Sequence, residues 1–463
     1  MIPLPISQIA QITGAALDAV PDPAAVVTGP VLMDSRQVVP GALFAALRGE
    51  RVDGHDFAAD AVAAGAVAVL VTRPTGTPAL IVPDVLVALG RLARAVIDSL
   101  PGVTIAGITG SAGKTTTKDL TAALLSTLGP TVAPVNSFNN EIGHPLTVLR
   151  ADPGTRYLVT ELSARGPGHI AALCEMSPPR LGVVLCVGNA HAGEFGSLEQ
   201  VAAAKSELPR ALPADGVAVL NADDPLVAGM AASTAARVVT FGLGGDADVR
   251  ASAITLDPMS RPRFTLSTAG GSASVALRLY GEHNVTNALA AAALAGELGM
   301  DVDSIARILS SVTAVSKWRM EVTERADGVT IVNDAYNASP EAVAAALAAL
   351  GVMARGKRAY AVLGRMAELG DRSSEFHEEA GVAAARTGLA GIIAVGAEAS
   401  PILTGARSVA GYRGELIGVP DGDEALAALS RRLRPGDVVL VKASRAAGLQ
   451  TVALTLAAQE ASG

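Results

Sequence analysis

The sequence is short of the residues that would build a disulfide framework or a structural zinc site. Its 463 residues contain two cysteines, Cys174 and Cys186. Their one spacing of twelve positions fits no zinc pattern, and thiols in apolar surroundings are expected to pack. The first residues, Met1-Ile2-Pro3-Leu4-Pro5, lack the basic and apolar regions of a signal peptide. Long apolar runs are missing too: Ala61 to Val71 is too short to span a bilayer and is broken by glycine. Nor is there an excess of basic charge. The net charge is −8 and the sequence pI about 5.4, which argues against a general nucleic-acid binder. The expectation is a soluble, cytoplasmic protein with no nucleic-acid partner and no membrane insertion. Any phosphate-bearing ligand must be held locally, by a loop and a helix N-terminus.

What the chain does have is length and alternation. A chain of 463 residues is too long for one ordinary core and predicts two or three domains. Half the residues are hydrophobic, although many are alanines that bury little area. Residues 1–101 hold short strands and turns and end in an apolar helix over Val85 to Leu100, punctuated by Pro101-Gly102. Residues 102–315 alternate strands and helices. Strands are predicted at 103–108, 157–160, 181–187 and 216–220, and a helix over Lys118 to Leu128, closed by Gly129-Pro130. The alternation restarts in residues 316–463, with strands at 329–332, 359–363, 391–395 and 437–441. This pattern predicts α/β domains with parallel sheets covered on both faces.

The sharpest local signal is Thr109-Gly110-Ser111-Ala112-Gly113-Lys114-Thr115-Thr116, between a strand and a helix. Glycines let backbone N–H groups turn inward around phosphate oxygens, and the helix adds its positive end. Lys114 is suited to the outer phosphates and the Thr115 hydroxyl to magnesium. The usual phosphate-loop pattern has a glycine five residues before Gly113, where this chain has Ile108. The loop is a shorter variant. The plain alternative, a strand-to-helix turn with an exposed lysine, explains less.

Magnesium requires oxygen ligands. Glu161 stands at the carboxyl end of the 157–160 strand, where open parallel sheets bind ligands. A solvated acid at a strand end would look the same. His191 follows the 181–187 strand on the same edge. Lys205 is more informative. Ser197 and Gln200 read as a capping box, and Leu198, Val201, Lys205 and Leu208 then share one helical face. A buried lysine favours its neutral amine, which takes up carbon dioxide to give a carbamate able to hold a metal. Periodicity alone favours the plainer outcome, a packed stem with its ammonium reaching solvent.

Further segments, in order along nearly the whole chain, resemble the Mur ligases. They are Thr109 to Thr117, Asn136 to Leu146, His191 to Glu207 and Gly281 to Ala288. Asn333 to Pro340, Leu363 to Gly370 and Lys442 to Ala446 follow. In the first segment Asp34-Ser35-Arg36, Gly41 to Phe44 and Asp53-Gly54-His55 also fit. Within the group the resemblance is to the MurF family, UDP-N-acetylmuramoyl-tripeptide–D-alanyl-D-alanine ligases. It implies a small N-terminal α/β domain for the UDP end, a central P-loop-type parallel-sheet ATPase domain and a C-terminal Rossmann-like domain. The implied activity is ATP-dependent peptide-bond formation through an acyl phosphate, with UDP-N-acetylmuramoyl-tripeptide and D-alanyl-D-alanine as substrates, in a monomer.

By resemblance, Gly110 to Thr116 cradle ATP. Lys114, His191 and Lys205 are the catalytic set, and Thr115, Glu161, His191 and carbamylated Lys205 serve two magnesium ions. Asn287 is implied at adenine, Arg319 and Asp334 at phosphates or ribose, and Tyr336 and Asn337 at the nucleoside. Asn139 and Asn140 are implied at the sugar-peptide and Ser35 at uridine. The chain departs from the family's pattern at Leu162-Ser163, Arg365 and Ala443. None of these removes a group implied to touch ATP or magnesium. Two alternatives stand beside this reading. A sister ligase adding another amino acid or amine is one, although the Asp-Asn-Pro-Arg motif of the ligase for the third residue is missing. A regulatory ATP-binding module is the other.

Overall fold

The computed structural model describes residues 1–49, 52–135, 137–189, 192–313 and 316–459. Three main sheets succeed one another along the chain. The first has five strands in the order Ala16–Asp18, Ala79–Ile81, Ala68–Val71, Leu43–Ala45, Val31–Leu32, parallel except at the Ala16–Asp18 edge. The apolar stretch after it forms the helix Val85–Asp98. Asp84 accepts the Leu86 and Val87 N–H groups that would otherwise be orphaned at its start. Its buried face (Ala88, Leu89, Leu92, Val96) joins one apolar cluster with Leu146, Val148 and Leu158 of the following unit, so the two are packed together.

The central sheet has nine strands. Thr104–Thr109 lies inside it, paired in parallel with Tyr157–Glu161 on one side and Leu181–Val184 on the other. Strand order reverses at Thr104–Thr109, and a crevice at the carboxyl ends of strands at such a reversal is where open sheets bind ligands. The helix after the glycine loop spans Lys114–Leu125, starting four residues earlier than the sequence predicts. Three consecutive threonines argue against helix by propensity. Here Thr115 and Thr117 are buried, and the helix packs on Asn284–Glu297, so tertiary contact overrides the preference.

The sheet is also not wholly parallel. Pro262–Thr268 and Gly271–Ala276 form a hairpin that adds antiparallel strands beyond Val249–Leu256. Phe264, Leu266 and Val275 are buried while Arg263 and Ser274 face out, the alternation of a sheet covered on one face only.

The last sheet has the order Glu321–Glu324, Thr330–Asp334, Val438–Lys442, Ala359–Gly364, Gly391–Val395, Glu415–Val419, antiparallel only at its first edge. Helices Pro340–Met353, Ser373–Arg386 and Pro401–Ser408 cover one face; Gly422–Ser430 and Gln450–Ala458 cover the other. Among the described residues no helix is long and apolar enough to cross a membrane.

Candidate active site

The glycine loop leaves the carboxyl end of Thr104–Thr109. Gly113 caps the next helix with φ 81°, and a Cβ there would lie 2.3 Å from Asn287 Oδ1, so both backbone conformation and space require glycine. Ser111 N–H donates to the Cys186 carbonyl at 2.9 Å, and Ala112 N–H points at Cys186 Sγ at 3.4 Å. Cys186, expected to be packing, instead supports the loop and lines the cavity. Lys114 Nζ donates to the Gly110 carbonyl at 2.6 Å. Burial pushes the Lys114 pKa down, opposed by the negative charge of Glu161. A half-buried cation on a neutral carbonyl is suited to a polyphosphate.

Thr115 Oγ1 donates to Glu161 Oε2 at 3.0 Å, and Asn139 Nδ2 donates to Glu161 Oε1 at 2.8 Å. Glu161 is buried at the end of its strand, so the solvated-acid alternative does not hold. Hydroxyl and carboxylate together offer hard oxygens; phosphate and water would complete a magnesium shell. Among the described residues no cluster of three His, Cys, Asp or Glu side chains offers a further metal site. Asn140 shapes the neighbouring turn, its Oδ1 accepting the Gly143 N–H at 3.0 Å.

Lys205 ends the helix Leu198–Lys205, which Ser197 caps as expected. Lys205 is buried as a residue, at 5% exposed, and Nζ makes no hydrogen bond or ion pair among the described residues. Burial first and the neighbouring Lys114 second push its pKa down to about 7. Of the stripe that periodicity defined, Leu198 is exposed while Val201, Lys205 and Leu208 are buried. His191 and Asn136 lie outside the described residues.

From the C-terminal side, Asp334 accepts from Lys442 Nζ and from the Met320 N–H, and Lys442 also donates to the Asn337 carbonyl at 3.0 Å. Arg319 stacks 4.4 Å over the Tyr336 ring and donates through Nη2 to Ser137 Oγ at 2.8 Å. Its Nε is buried without a partner among the described residues. Asn287 is held by Asn284, to whose Oδ1 it donates at 2.9 Å.

These groups surround one cavity of about 570 Å³. Its wall includes Ser111 to Thr116, Asn139, Asn140, Glu161, Asn287, Arg319, Asp334, Tyr336 and Asn337, so both the central and the C-terminal units contribute. Gly110 and Lys205 are not on that wall, and Ser35 lies far along the chain in the Ser35–Gln37 turn of the first unit, half-buried and away from it. Sequence reasoning did not single out Asp119, Ser137 or Glu341 as site residues, which also line the cavity. Asp119 follows Lys114 by five residues on a predicted helix, a usable signal; Glu341 read only as a helix start.

Three Mur ligase family models match in order: the catalytic domain over residues 30–97, the middle domain over 108–295 and the glutamate ligase domain over 318–445. A UDP-N-acetylmuramoyl-tripeptide–D-alanyl-D-alanine ligase of Mycobacterium tuberculosis is 49% identical, covering 100% of this chain and 99% of that protein. The Escherichia coli protein of that name is 37% identical over 98% and 99%. A crystal structure of MurF from Acinetobacter baumannii superposes with TM-score 0.87 at 32% identity, covering 99% of each chain. MurF of Thermotoga maritima in complex with ADP gives 0.79 at 32%, covering 93% and 97%. The chain belongs to the Mur ligase family, on its MurF branch.

Proposed function

We propose that this chain adds D-alanyl-D-alanine to UDP-N-acetylmuramoyl-tripeptide at the expense of ATP, a step in peptidoglycan precursor synthesis. The observation that carries the reading is the loop lysine Lys114 beside the buried carboxylate Glu161, with buried Lys205 near Lys114, at the reversal point of the central sheet, in a chain similar end to end to MurF proteins. A carboxylate is a poor electrophile. Phosphorylation gives it a leaving group, the dipeptide amine attacks, and phosphate departs. The protein's tasks are to position three substrates, neutralise phosphate charge and exclude water.

In this proposal the glycine loop and Lys114 hold the outer phosphates. Thr115 and Glu161 hold a magnesium ion; Lys205 as a carbamate, with His191, holds a second. Magnesium supplies charge neutralisation at the transferred phosphoryl group. Asn287 takes the base; Arg319, Asp334, Tyr336 and Asn337 close on the nucleoside from the C-terminal side. Asn139 and Asn140 face the sugar-peptide and Ser35 the uridine. We divide the chain at 1–101, 102–315 and 316–463. Each chain carries both walls of its cavity, which favours a working monomer. The nucleotide-linked substrates favour the cytoplasm.

The test is phosphate release from ATP with UDP-N-acetylmuramoyl-tripeptide, with and without D-alanyl-D-alanine, with products weighed by mass spectrometry. Release that needs both, with a pentapeptide product, supports the proposal. A different required amine would move the chain to another Mur activity. Substrate-independent hydrolysis with no new amide would favour a regulatory ATPase.

A further inference from the structure

The segment Cys186–Asn189 runs along the phosphate loop, and beyond the Cys186 contacts three anchors hold it. Val187 N–H donates to Asp224 Oδ2 at 2.7 Å. Gly188 N–H donates to Ser111 Oγ at 2.8 Å, and that hydroxyl lies 3.2 Å from the Gly188 carbonyl it donates to. The third anchor comes from another unit. Glu341, at the start of the C-terminal helix Pro340–Met353, accepts through Oε1 from both the backbone N–H of Asn189 at 2.6 Å and its Nδ2 at 3.0 Å. The approach is close. A Cβ on Gly188 would stand 2.7 Å from Glu341 Oε1. The other oxygen, Oε2, is buried with no partner among the described residues, so the carboxylate's visible bonding is spent on Asn189 alone.

We propose that Glu341 is a positioning residue that ties the seat of the phosphate loop to docking of the C-terminal unit. Glu341 grips Asn189, Gly188 grips Ser111, and Ser111 belongs to the loop that cradles phosphate. When the C-terminal unit is docked, the relay is complete. When it swings away, Asn189 loses a charged acceptor for two donors, and the loop keeps only its anchors within the central unit. Glu341 touches no reacting atom; it makes the nucleotide seat depend on the wall that completes the cavity. The kinetic half of this inference rests on the ligase reading; its structural half does not.

The experiment compares full-length wild type, E341A, E341Q, G188A and E341A/G188A. It reads kcat and the KM values, nucleotide affinity without the acceptor substrates, and the radius of gyration by small-angle X-ray scattering with ATP analogue present. Expected for E341A is a fall in kcat of about 10-fold or more, the size of one hydrogen bond to a charged group. Thermal stability should hold, and the nucleotide-bound chain should be more extended. E341Q keeps an acceptor at Oε1 and should recover most of the rate. G188A should reproduce E341A, because its methyl displaces the carboxylate. In the double variant the methyl has room, so the two losses should not add.

Independent, multiplying losses from G188A and E341A would overturn the relay. So would an E341A chain with wild-type kcat and wild-type compactness. If wild type forms no amide with any amine, the ligase reading fails. The scattering comparison still tests the clasp in that case, since E341A and G188A must extend the chain alike.

Discussion

Replacing Lys205 by alanine probes the proposed second metal position most directly. Lys205 is buried, and burial together with Lys114 brings its pKa to about 7. At pH 7 an ordinary lysine is neutral in roughly one molecule in 3,000, whereas a pKa near 7 leaves about half neutral. Only the neutral amine attacks carbon dioxide, so the site raises the reactive fraction on the order of a thousandfold. Held as a bare ammonium, the group would cost about 5 kcal/mol relative to water. As a carbamate it becomes an anion, and its repulsion with Lys114 turns into attraction. Wild-type protein in ¹³C-bicarbonate should therefore show one carbamate carbon that Lys205→Ala lacks. The variant should lose turnover on the order of 10²- to 10³-fold, the size of removing one group that stabilises transition-state charge. Small carboxylates added to Lys205→Ala should restore part of that loss. Full turnover in Lys205→Ala, or no carbamate signal in wild type, would refute the reasoning.

Three other outcomes follow from the geometry. Gly113→Ala places a methyl 2.3 Å from Asn287 Oδ1 at φ 81°, and titration with a fluorescent ATP analogue should show nucleotide affinity lost while circular dichroism stays unchanged. Asp334→Ala leaves the buried Lys442 ammonium without its carboxylate, which should destabilise the protein by about 3–5 kcal/mol in urea titrations; Asp334→Ala/Lys442→Met should cost less. His144 is buried, donates or accepts at Ser177 Oγ through Nε2, and leaves Nδ1 without a geometrically sound partner among the described residues; burial, only partly opposed by the Leu173 backbone, pushes its pKa down to about 4. Below pH 6.5 the unfolded chain takes a proton that the folded chain refuses until about pH 4. Stability is thus present above that window and lost as pH falls through it, by about 3 kcal/mol at pH 4. Urea unfolding at pH 7 and pH 4 should show His144→Gln losing less than wild type by about that amount, and equal losses would exclude His144 as the cause.

Four parallel strands of the central sheet and the four interior strands of the last sheet were legible because buried parallel strands read as short apolar runs between turn signals; the short strands of the first sheet were not placed individually. Gly391–Val395 matches its predicted span, and Tyr157–Glu161 and Ala359–Gly364 differ from theirs by one residue. The edge strands were not. Glu321–Glu324 is half-exposed and half charged, so pairing with a neighbour more than composition makes it a strand; Glu415–Val419 is mostly apolar but, at the sheet edge, has no buried residue. Of the site, the glycine loop and Glu161 could be placed locally, because a strand end and a loop are adjacent in sequence terms. Asn287, Arg319, Asp334 and Tyr336 carried no local signal beyond their resemblance to family motifs. Their meeting depends on how the C-terminal unit docks, through contacts such as Ser316 Oγ to Asp119 Oδ2 at 2.7 Å, which span nearly two hundred positions.

The same distinction explains how an acidic protein can hold a polyphosphate. With a net charge of −8 its long-range field repels nucleotides. The cations that matter, Lys114, Lys205 and Lys442, are buried or walled in, and Arg319 is pinned against Tyr336. Burial strengthens each short-range attraction and shields it from salt. It also makes each cation costly until an anion arrives, as the lowered pKa values of Lys114 and Lys205 record. Lys442 already has Asp334; the other two lysines have only carbonyl oxygen or no partner among the described residues. Nucleotide binding should therefore shift the protonation of Lys205 upward unless carbamylation has already made it an anion. Calorimetry in buffers of different ionisation enthalpy separates the two cases: proton uptake on binding ATP should be larger in carbon-dioxide-free solution, and uptake unchanged by carbon dioxide would leave the carbamate without support.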